Sequence, residues 1–437
     1  MIEVKSNGRS LVGLCCLLFG LGTMMAWSDD PPVELSGELT LENAVRLADE
    51  NNPALRSSAW QVLAKEAEVK QAGVLPNPEL VAEAENVGGS GELSGTDSAE
   101  YTIAISQEFA LGGKRSKQVR VATTDYRLAE WTHESIRRDL RKNVASAFFD
   151  VLANQEHVAL SEGLTKLSKE LVETAERRVK AGGASVLEQS KAEIEYAASQ
   201  VIQSEQKQLL VSSRRSLALI LQVPEDTLPP VSGDLYQLND LPDFADLKAR
   251  LSENPDWAIW DVKMERSQAV VDAADAQRIP NLNAGAGWRR NEGLGDDAFV
   301  FFVGIPLPMF DRNQGARQAA VYEQSAAMEG RRSNEIMLER ELSDVYGELS
   351  RAHTHAYAIK NSILPAADKS FEVSQQGYQQ GRFGYLDLLD AQRTLFETQK
   401  QYIETLSQYH QASVNIERLI AETSATSNQP QRSINHD

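Results

Sequence analysis

The sequence predicts a mainly α-helical protein with a β-barrel part, in which long antiparallel coiled-coil helices join four transmembrane β-strands per chain. The expected assembly is a trimeric α/β barrel with internal duplication. Three observations predict this fold. The two halves of the chain repeat each other, two long stretches are almost free of helix breakers, and four short segments alternate apolar with polar residues.

The bulk composition permits folding and argues against nucleic acid as a partner. Hydrophobic residues make up 42% of the 437 residues and charged residues 24%, which is typical of a folded chain. The net charge is -19, and the acidic excess is spread along the chain, whereas phosphate binding needs clustered Lys and Arg. Cys15 and Cys16 are the only cysteines, so the rest of the chain has no disulfide, zinc-thiolate site or cysteine nucleophile.

Residues 1–28 have the pattern of a secretory signal peptide. Two basic residues precede an apolar run at 11–22, and Ala26-Trp27-Ser28 provides a small-x-small cleavage site. The alternatives are a retained amino-terminal anchor and a lipid on Cys15, although Leu14 stands where lipidation expects a small residue. No later stretch approaches the roughly 18 apolar residues of a membrane helix. The exported chain is therefore expected to be periplasmic, secreted or an outer-membrane barrel.

The chain repeats itself at an offset of about 200 residues, the kind of internal period that sets a whole fold. Glu50-Asn-Asn-Pro-Ala matches Ser252-Glu-Asn-Pro-Asp, and Val74-Leu-Pro-Asn-Pro matches Arg278-Ile-Pro-Asn-Leu. Each half predicts a helix, two strands, a very long helix, a turn and a long helix. The expected domains after the signal peptide are a first structural repeat at 29–222, a linker or equatorial element at 223–243, a second repeat at 244–422 and a disordered tail at 423–437.

Four segments show the period-two pattern of membrane strands, with one apolar face and one small or polar face. A soluble sandwich is the alternative, but four strands separated by helices of about 65 residues make a poor sandwich. The segments begin at Glu79, Tyr101, Asn281 and Phe299. In the first segment, the carboxylates on the face expected to line the lumen are Glu79, Glu83 and Glu85.

Four strands cannot close a membrane barrel, because the smallest such barrels have about 8 strands. An open edge cannot face lipid either, since its backbone groups would have no hydrogen-bond partner there. Several chains must therefore share one barrel, and three chains would supply about twelve strands.

Two stretches predict very long helices, from Lys114 to Lys180 and from about Gln318 to Gln380. At 1.5 Å per residue, about 65 residues span on the order of 100 Å, which suits a passage through the periplasm. The last helix has the seven-residue spacing of coiled coils. Its first seam is Leu388, Leu395, Tyr402, Tyr409 and Ile416, and its second is Ala391, Thr398, Thr405, Ala412 and Leu419.

With these features the sequence resembles the TolC family of outer-membrane efflux proteins over nearly the whole chain, from about Leu39 to Ala421. The duplication, Asn51-Asn-Pro-Ala-Leu and Leu75-Pro-Asn-Pro carry the resemblance. Two strand-to-helix junctions resemble the heavy-metal branch, the cobalt–zinc–cadmium type. They are Gln107-Glu-Phe-Ala-Leu-Gly-Gly-Lys-Arg and Ile305-Pro-Leu-Pro-Met-Phe-Asp-Arg-Asn-Gln-Gly.

The resemblance implies a homotrimeric exit duct in outer-membrane lipid, with a helical tunnel in the periplasm. Its expected partners are a periplasmic adaptor (membrane fusion) protein and an inner-membrane pump of the resistance-nodulation-division (RND) class. The duct is expected to be passive, with no cofactor and no enzymatic activity, and to export heavy-metal cations. The alternatives are a duct for drug efflux or type I secretion, and a periplasmic coiled-coil structural protein.

The resemblance also implies a periplasmic gate and an adaptor-contacting tip. Tyr378 and Glu188 match family positions that hold the tip closed, and the hypothesis is that the tyrosine hydroxyl bonds the carboxylate. Arg382 is displaced by one place from the family's gate arginine. The expected tip consists of the two helix turns, Gly182, Gly183, Ala184 and Ser185 in one and Gly381, Phe383 and Gly384 in the other.

Asp387 and Asp390 are spaced i, i+3 just past the second turn, so both lie on one helix face. The resemblance implies that they form carboxylate rings in a trimer, which would favour cations. The alternative is that the helix dipole alone favours acidic residues at a helix start. His353 and His355 are spaced i, i+2, point to different faces and are expected to be surface or seam residues rather than metal ligands.

Overall fold

The computed structural model describes residues 37–420. The predicted signal peptide at 1–28 and the predicted tail at 423–437 lie outside the described residues. The first half contains α1 (Leu41–Asn51), α2 (Pro53–Ala72), β1 (Glu79–Glu85), β2 (Glu100–Phe109), α3 (Lys114–Lys180) and α4 (Val186–Leu221). The second half contains α5 (Phe244–Arg250), α6 (Pro255–Ala276), β3 (Leu282–Asn291), β4 (Asp296–Gly304), α7 (Gln314–Ala358), α8 (Leu364–Gln379) and α9 (Tyr385–Leu419).

The repeated Asn-Pro pairs start equivalent helices by the same local chemistry. The side-chain oxygen of Asn52 accepts a hydrogen bond from the amide of Ala54 at 2.9 Å, and Pro53 occupies the first turn of α2. The side-chain oxygen of Asn254 accepts from the amide of Asp256 at 2.7 Å at the start of α6. Proline suits this first turn because its missing N–H has no helical partner there.

The two predicted long helices are present. The first, α3, has 67 residues, which corresponds to about 100 Å. The second is a continuous helical path made of α7, a π-helical turn at Ile359–Ile363, and α8. Pro365 does not break this path because it falls in the first turn of α8, directly after the π-helical turn. No helix in residues 37–420 is both long and apolar enough to cross a membrane.

The four predicted strands form one antiparallel sheet in the order β1-β2-β3-β4. The two halves are joined in the middle of the sheet, where β2 pairs with β3. In this pairing Ile105 lies opposite Ala286 and Ile103 lies opposite Trp288. Within the described residues, β1 and β4 each have one neighbour only, so both outer edges of the sheet are unpaired. The prediction that one chain provides four strands and cannot close a barrel is confirmed.

The two faces of the sheet differ in the way the alternation predicts. On one face, the large apolar side chains of Phe299 and Phe301 are 82% and 80% exposed. On the opposite face, Thr102, Ala104 and Ser106 are buried. A continuous apolar face uncovered by the chain itself is what a lipid-facing sheet requires.

The segment between the halves, 223–243, packs against the long helices. Leu228, Val231 and Leu235 are buried, and Leu39 forms a parallel bridge with Val231. A hydrophobic cluster next to this segment joins α5, α7 and α9 through Leu247, Leu338, Leu342, Leu349, Tyr409, Ile416 and Leu419. The heptad positions of α9 supply three of these residues, so the predicted seam faces the core.

Replacing Asn254 with alanine is expected to destabilise the fold by about 2 kcal/mol, because the side chain bonds two helices. Besides capping α6, its amide donates to the carbonyl of Leu419 at 2.8 Å, and the residue is 1% exposed. The variant therefore leaves a buried carbonyl unpaired. The matched control is Asn52→Ala, which loses only the cap of α2 and is expected to cost about 1 kcal/mol. Urea unfolding followed by circular dichroism compares the two variants; equal losses would contradict the bridging role.

Candidate functional site

The two helix turns at the end of the long helices have the same backbone geometry. After α3, the amide of Gly183 donates to the carbonyl of Arg178 at 2.8 Å, and Gly182 has φ +73°. After α8, the amide of Arg382 donates to the carbonyl of Gly377 at 2.8 Å, and Gly381 has φ +70°. This is the Schellman arrangement, in which a left-handed residue ends a helix and its last carbonyls are satisfied. Glycine is favoured at both left-handed positions because it has no Cβ to be strained there.

The structure brings Tyr378 of α8 and Glu188 of α4 together, as hypothesised from the sequence. The Tyr378 hydroxyl donates to Oε1 of Glu188 at 2.6 Å, and the tyrosine is 1% exposed. This bond links the helix pair of the first half to that of the second half. A hydrogen bond to an ionised carboxylate is stronger than one between neutral groups.

Arg178, at the end of α3, completes this link and was not predicted. Its guanidinium donates to the carbonyl of Tyr378 at 2.9 Å and to the carbonyl of Gly183 at 3.2 Å. It also lies over the Tyr378 ring, 4.3 Å from the centroid, and 4.0 Å from Oε1 of Glu188. One cation thus contacts both turns, the tyrosine and the carboxylate. We call Arg178, Glu188 and Tyr378 together the Arg178 cluster.

A small apolar core supports the cluster from the side of the helices. Its buried residues are Leu171, Ala175, Ala192, Tyr378, Tyr385, Leu388 and Leu389. At the second turn, the ring of Phe383 covers Gly377, where an added Cβ would lie only 2.0 Å from the ring. Gly377 is therefore required for packing, while Phe383 itself stays 43% exposed at the surface of the turn.

Burial raises the pKa of both tyrosines in this region. For Tyr378 the main causes are burial and the hydrogen bond to Glu188, which favours the protonated hydroxyl. For Tyr385 burial and the nearby charge of Glu195 raise the pKa to about 12. The Tyr385 hydroxyl is buried and has no hydrogen-bond partner among the described residues. Both hydroxyls are thus protonated at physiological pH, and that of Tyr378 donates to Glu188.

Asp387 and Asp390 are both exposed on the first turns of α9, but their surroundings differ. One oxygen of Asp387 accepts from the amide of Gly384 at 2.9 Å, so this carboxylate caps the helix. Asp390 has no hydrogen bond or ion pair within the described part of the chain. Capping thus accounts for the residue type at Asp387, whereas nothing within the described chain requires an acid at Asp390.

Arg382 does not join the cluster. Its side chain is exposed and forms no hydrogen bond or ion pair within residues 37–420, although its backbone amide helps to close the turn. In the described chain it is Arg178 that contacts the tyrosine and the glutamate. The remaining predicted tip residues are turn residues, and Ser185 caps α4 by accepting from the amide of Glu188 at 3.3 Å.

The predicted acidic face of the sheet carries a cation that the sequence analysis missed. Arg289 of β3 pairs with Glu85 at 3.1 Å and with Glu100 at 2.9 Å, and it donates to the Thr102 hydroxyl at 2.9 Å. The strand register places these side chains side by side across three strands. The alternation of β3 contained this signal, because Arg289 falls on the face opposite Trp288.

No metal centre is evident in the described residues, since no three His, Cys, Asp or Glu side chains are grouped to hold an ion. His353 lies near the Tyr409 ring, 6.1 Å between centroids, and His355 is exposed.

Comparison with known proteins identifies matching families and folds. A family described as "Outer membrane efflux protein" matches residues 44–221 and 247–422. The chain is 34% identical to the cobalt-zinc-cadmium resistance protein CzcC of Cupriavidus metallidurans, over 89% of this chain and 91% of the relative. It is 25% identical to the nickel-cobalt-cadmium resistance protein NccC of Alcaligenes xylosoxydans xylosoxydans, over 74% and 71%. Among solved structures, the outer membrane protein VceC of Vibrio cholerae has a TM-score of 0.72 at 18% identity, covering 87% of this chain and 95% of that one.

Replacing Tyr378 with phenylalanine is expected to loosen the turns by about 2 kcal/mol, because the bond to the Glu188 carboxylate is lost. Amides of 178–188 and 377–388 should then exchange their hydrogens about 30-fold faster. Tyr385→Phe is the matched control, since this ring is also buried and its hydroxyl bonds nothing in the described chain. Hydrogen exchange with mass spectrometry compares the variants; equal effects would show that the Tyr378 hydroxyl does not fasten the turns.

Proposed function

The chain belongs to the outer membrane efflux protein family, and we propose that its sheet and its long helices together form an export duct. The protein is an outer-membrane duct with a helical part in the periplasm, and it is the exit channel of a tripartite efflux system. The single observation that carries this function is the combination in one chain of an open four-stranded sheet and helices of about 100 Å. The sheet suits the membrane and the helices suit the periplasm.

The working unit is a homotrimer. Both outer edges of the sheet are unpaired and its apolar face is uncovered, so the sheet needs further strands before it can lie in lipid. Three copies supply about twelve strands, which is within the size range of membrane barrels. The duct itself is passive and catalyses no reaction, and transport is driven by an inner-membrane RND pump.

The two turns form the far end of the duct, where a periplasmic adaptor protein docks. Glycines shape both turns, and the exposed ring of Phe383 offers an apolar contact beside them. The Arg178 cluster fastens the two turns to each other just behind this end. Opening the duct requires that the bonds of the cluster exchange for bonds to water or to the adaptor.

The cargo is a heavy-metal cation. The names of CzcC and NccC concern resistance to cobalt, cadmium and a third metal, zinc or nickel, and the first of these relatives is similar over nearly its whole length. Asp390 supports the same cargo, because an exposed carboxylate without a partner in the chain is free to contact a passing cation. Three copies of Asp387 and Asp390 would form two rings at the narrow end.

Metal tolerance of a deletion strain tests the cargo directly. Zinc, cobalt, cadmium and copper are titrated beside a panel of organic drugs, with the intact chain returned on a plasmid. Lost tolerance to one or more metals, restored by the plasmid, is the expected result. Unchanged metal tolerance with lost drug tolerance would reject the metal cargo and leave the duct in place.

Asp390→Asn is expected to reduce the cation selectivity of the duct in planar bilayers. The substitution removes a ring of three charges from the proposed trimer but breaks no hydrogen bond or ion pair within the described chain. Losing about 1 kcal/mol of attraction corresponds to a fall of about fivefold in the cation-to-anion permeability ratio. Glu397→Gln on the same helix, one heptad further from the turn, is the matched control and should change the ratio less. Equal reversal potentials in wild type and Asp390→Asn would contradict the carboxylate ring.

A further inference from the structure

The internal duplication predicts how two copies of the chain pair their strands. One chain already contains an equivalent strand pairing between its two halves, and such a pairing is here called a joint. The joint between β2 and β3 connects the first half to the second half. In a closed assembly, the joint between β4 of one copy and β1 of the next connects a second half to a first half. The two joints therefore involve corresponding strands in the same order.

Corresponding residues of β1 and β3 follow from the motif that precedes both strands. Pro76-Asn77 stands before β1, and Pro280-Asn281 stands before β3. Counting equally from each proline, Ala82 corresponds to Ala286. Both lie on the apolar face, which shows that the correspondence preserves the two faces of the sheet.

Corresponding residues of β2 and β4 follow from the two hairpins. Ala82 pairs with Ile103 in the first hairpin, and Ala286 pairs with Phe301 in the second. Ile103 therefore corresponds to Phe301, and two residues further along Ile105 corresponds to Val303.

In the joint between the halves, Ile105 lies opposite Ala286. The counterpart of Ile105 is Val303, and the counterpart of Ala286 is Ala82. Replacing each residue of the pair by its counterpart gives the pairing expected between two copies. We propose that β4 pairs antiparallel with β1 of a second copy in the register that sets Val303 opposite Ala82 of the partner subunit. Phe301 then lies opposite Ala84 of the partner subunit, and Ile305 lies opposite Leu80 of the partner subunit. This register rests on the trimer of the proposed function.

The side chains agree with this register. Val303, Phe301 and Ile305 are all exposed on the apolar face of the second hairpin, and their partners belong to the apolar face of β1. A slip of one residue would place Val303 opposite a residue from the face of the strand that carries Glu83 and Glu85. Such a slip moves every side chain to the wrong face and is excluded.

The register also sets where the pairing between copies ends. Within the chain, β2 runs to Phe109, which pairs with Leu282. By the same correspondence, Leu307 matches Phe109 and lies opposite Pro78 of the partner subunit, one residue before β1. Proline has no N–H to donate to a strand ladder. The pairing between copies therefore ends near Ile305 and Leu80 of the partner subunit.

The helices below the sheet have matching uncovered sides. Within the chain, α3 lies against α6 through bonds such as Arg120 to Asp272 at 3.1 Å and Ser135 to Asp256 at 2.7 Å. The corresponding helices are α7 and α2, and no hydrogen bond or ion pair joins these two helices within the described chain. Their exposed apolar side chains include Tyr322 and Ile336 on α7 and Trp60 and Leu63 on α2. Contact between α7 and α2 of the next copy covers these surfaces.

Cysteine pairs test the register. The test variant combines Val303→Cys with Ala82→Cys, after C15S and C16S have removed the native cysteines. The two slipped variants combine Val303→Cys with Leu80→Cys or with Ala84→Cys, which lie on the same face. Directly opposite Cβ atoms are about 5 Å apart in such sheets and diagonal ones about 7–8 Å, and only the former approach the separation of a disulfide.

The intrachain pair Ile105→Cys with Ala286→Cys is the matched control, because it occupies the corresponding positions and has the same hydrogen-bonding geometry. After oxidation of the assembled protein, the test variant is expected to give dimer and trimer bands on non-reducing gels. The slipped variants should remain monomers on the gel, and the control should form a disulfide within one chain. Nitroxide labels at the same positions give a distance measurement that does not depend on oxidation, shortest for 303 with 82.

Crosslinking of a slipped variant instead of the test variant would overturn the register and leave the trimer standing. A trimeric complex in which no interchain pair crosslinks or approaches, while the control pair oxidises, would show that β4 and β1 do not meet. A complex that sediments as a monomer in every variant would refute the proposed function itself.

Discussion

The structure depends on one constraint, which is that every backbone N–H and C=O group in lipid must find a hydrogen-bond partner inside the protein. A chain with four strands leaves two rows of such groups unpaired, at β1 and β4. Adding strands from the same chain would meet this constraint, but here the intervening residues form helices. The remaining solution is to share the sheet among copies, and the uncovered apolar face shows that the sheet is built to be lined by lipid once its edges are closed.

The internal duplication explains why the two halves of the chain have the same local structures. Comparison of the halves also shows where they differ. Both halves start their short helix with Asn-Pro, turn after a proline into a strand, and end their long helix in a Schellman turn. The differences fall at the turns. At the position where the first turn has Arg178, the second has Gly377, so the arginine reaches across and the glycine accepts the ring of Phe383. A symmetric pair of turns could not form the Arg178 cluster, because it needs one cation and one tyrosine from different halves.

Much of the fold could be predicted from the sequence, because it rests on long-range periodicity and on local turn chemistry. The 67 residues of α3, the four strands and the heptad seam of α9 all follow from such patterns. At the turns, the bond between Tyr378 and Glu188 was reached through family resemblance, since nothing local connects residues 190 positions apart. Arg178 and Arg289 were missed because nothing in the sequence distinguishes them from the many other basic residues. Their partners lie on other helices and strands, which come close to them only in the folded chain. The π-helical turn before Pro365 was missed for a local reason, since proline in a helical pattern predicts a break and not a widened turn.

The central claim is that the membrane part of this protein exists only as an assembly of three chains. Native mass spectrometry of the complex extracted from the outer membrane, with detergent removed in the gas phase, counts the chains directly. The account predicts a single species with three times the mass of the mature chain and no other polypeptide, because three four-stranded sheets close one barrel. A stable species of one chain, with its open edges in the membrane, would contradict the account, and so would a species of two.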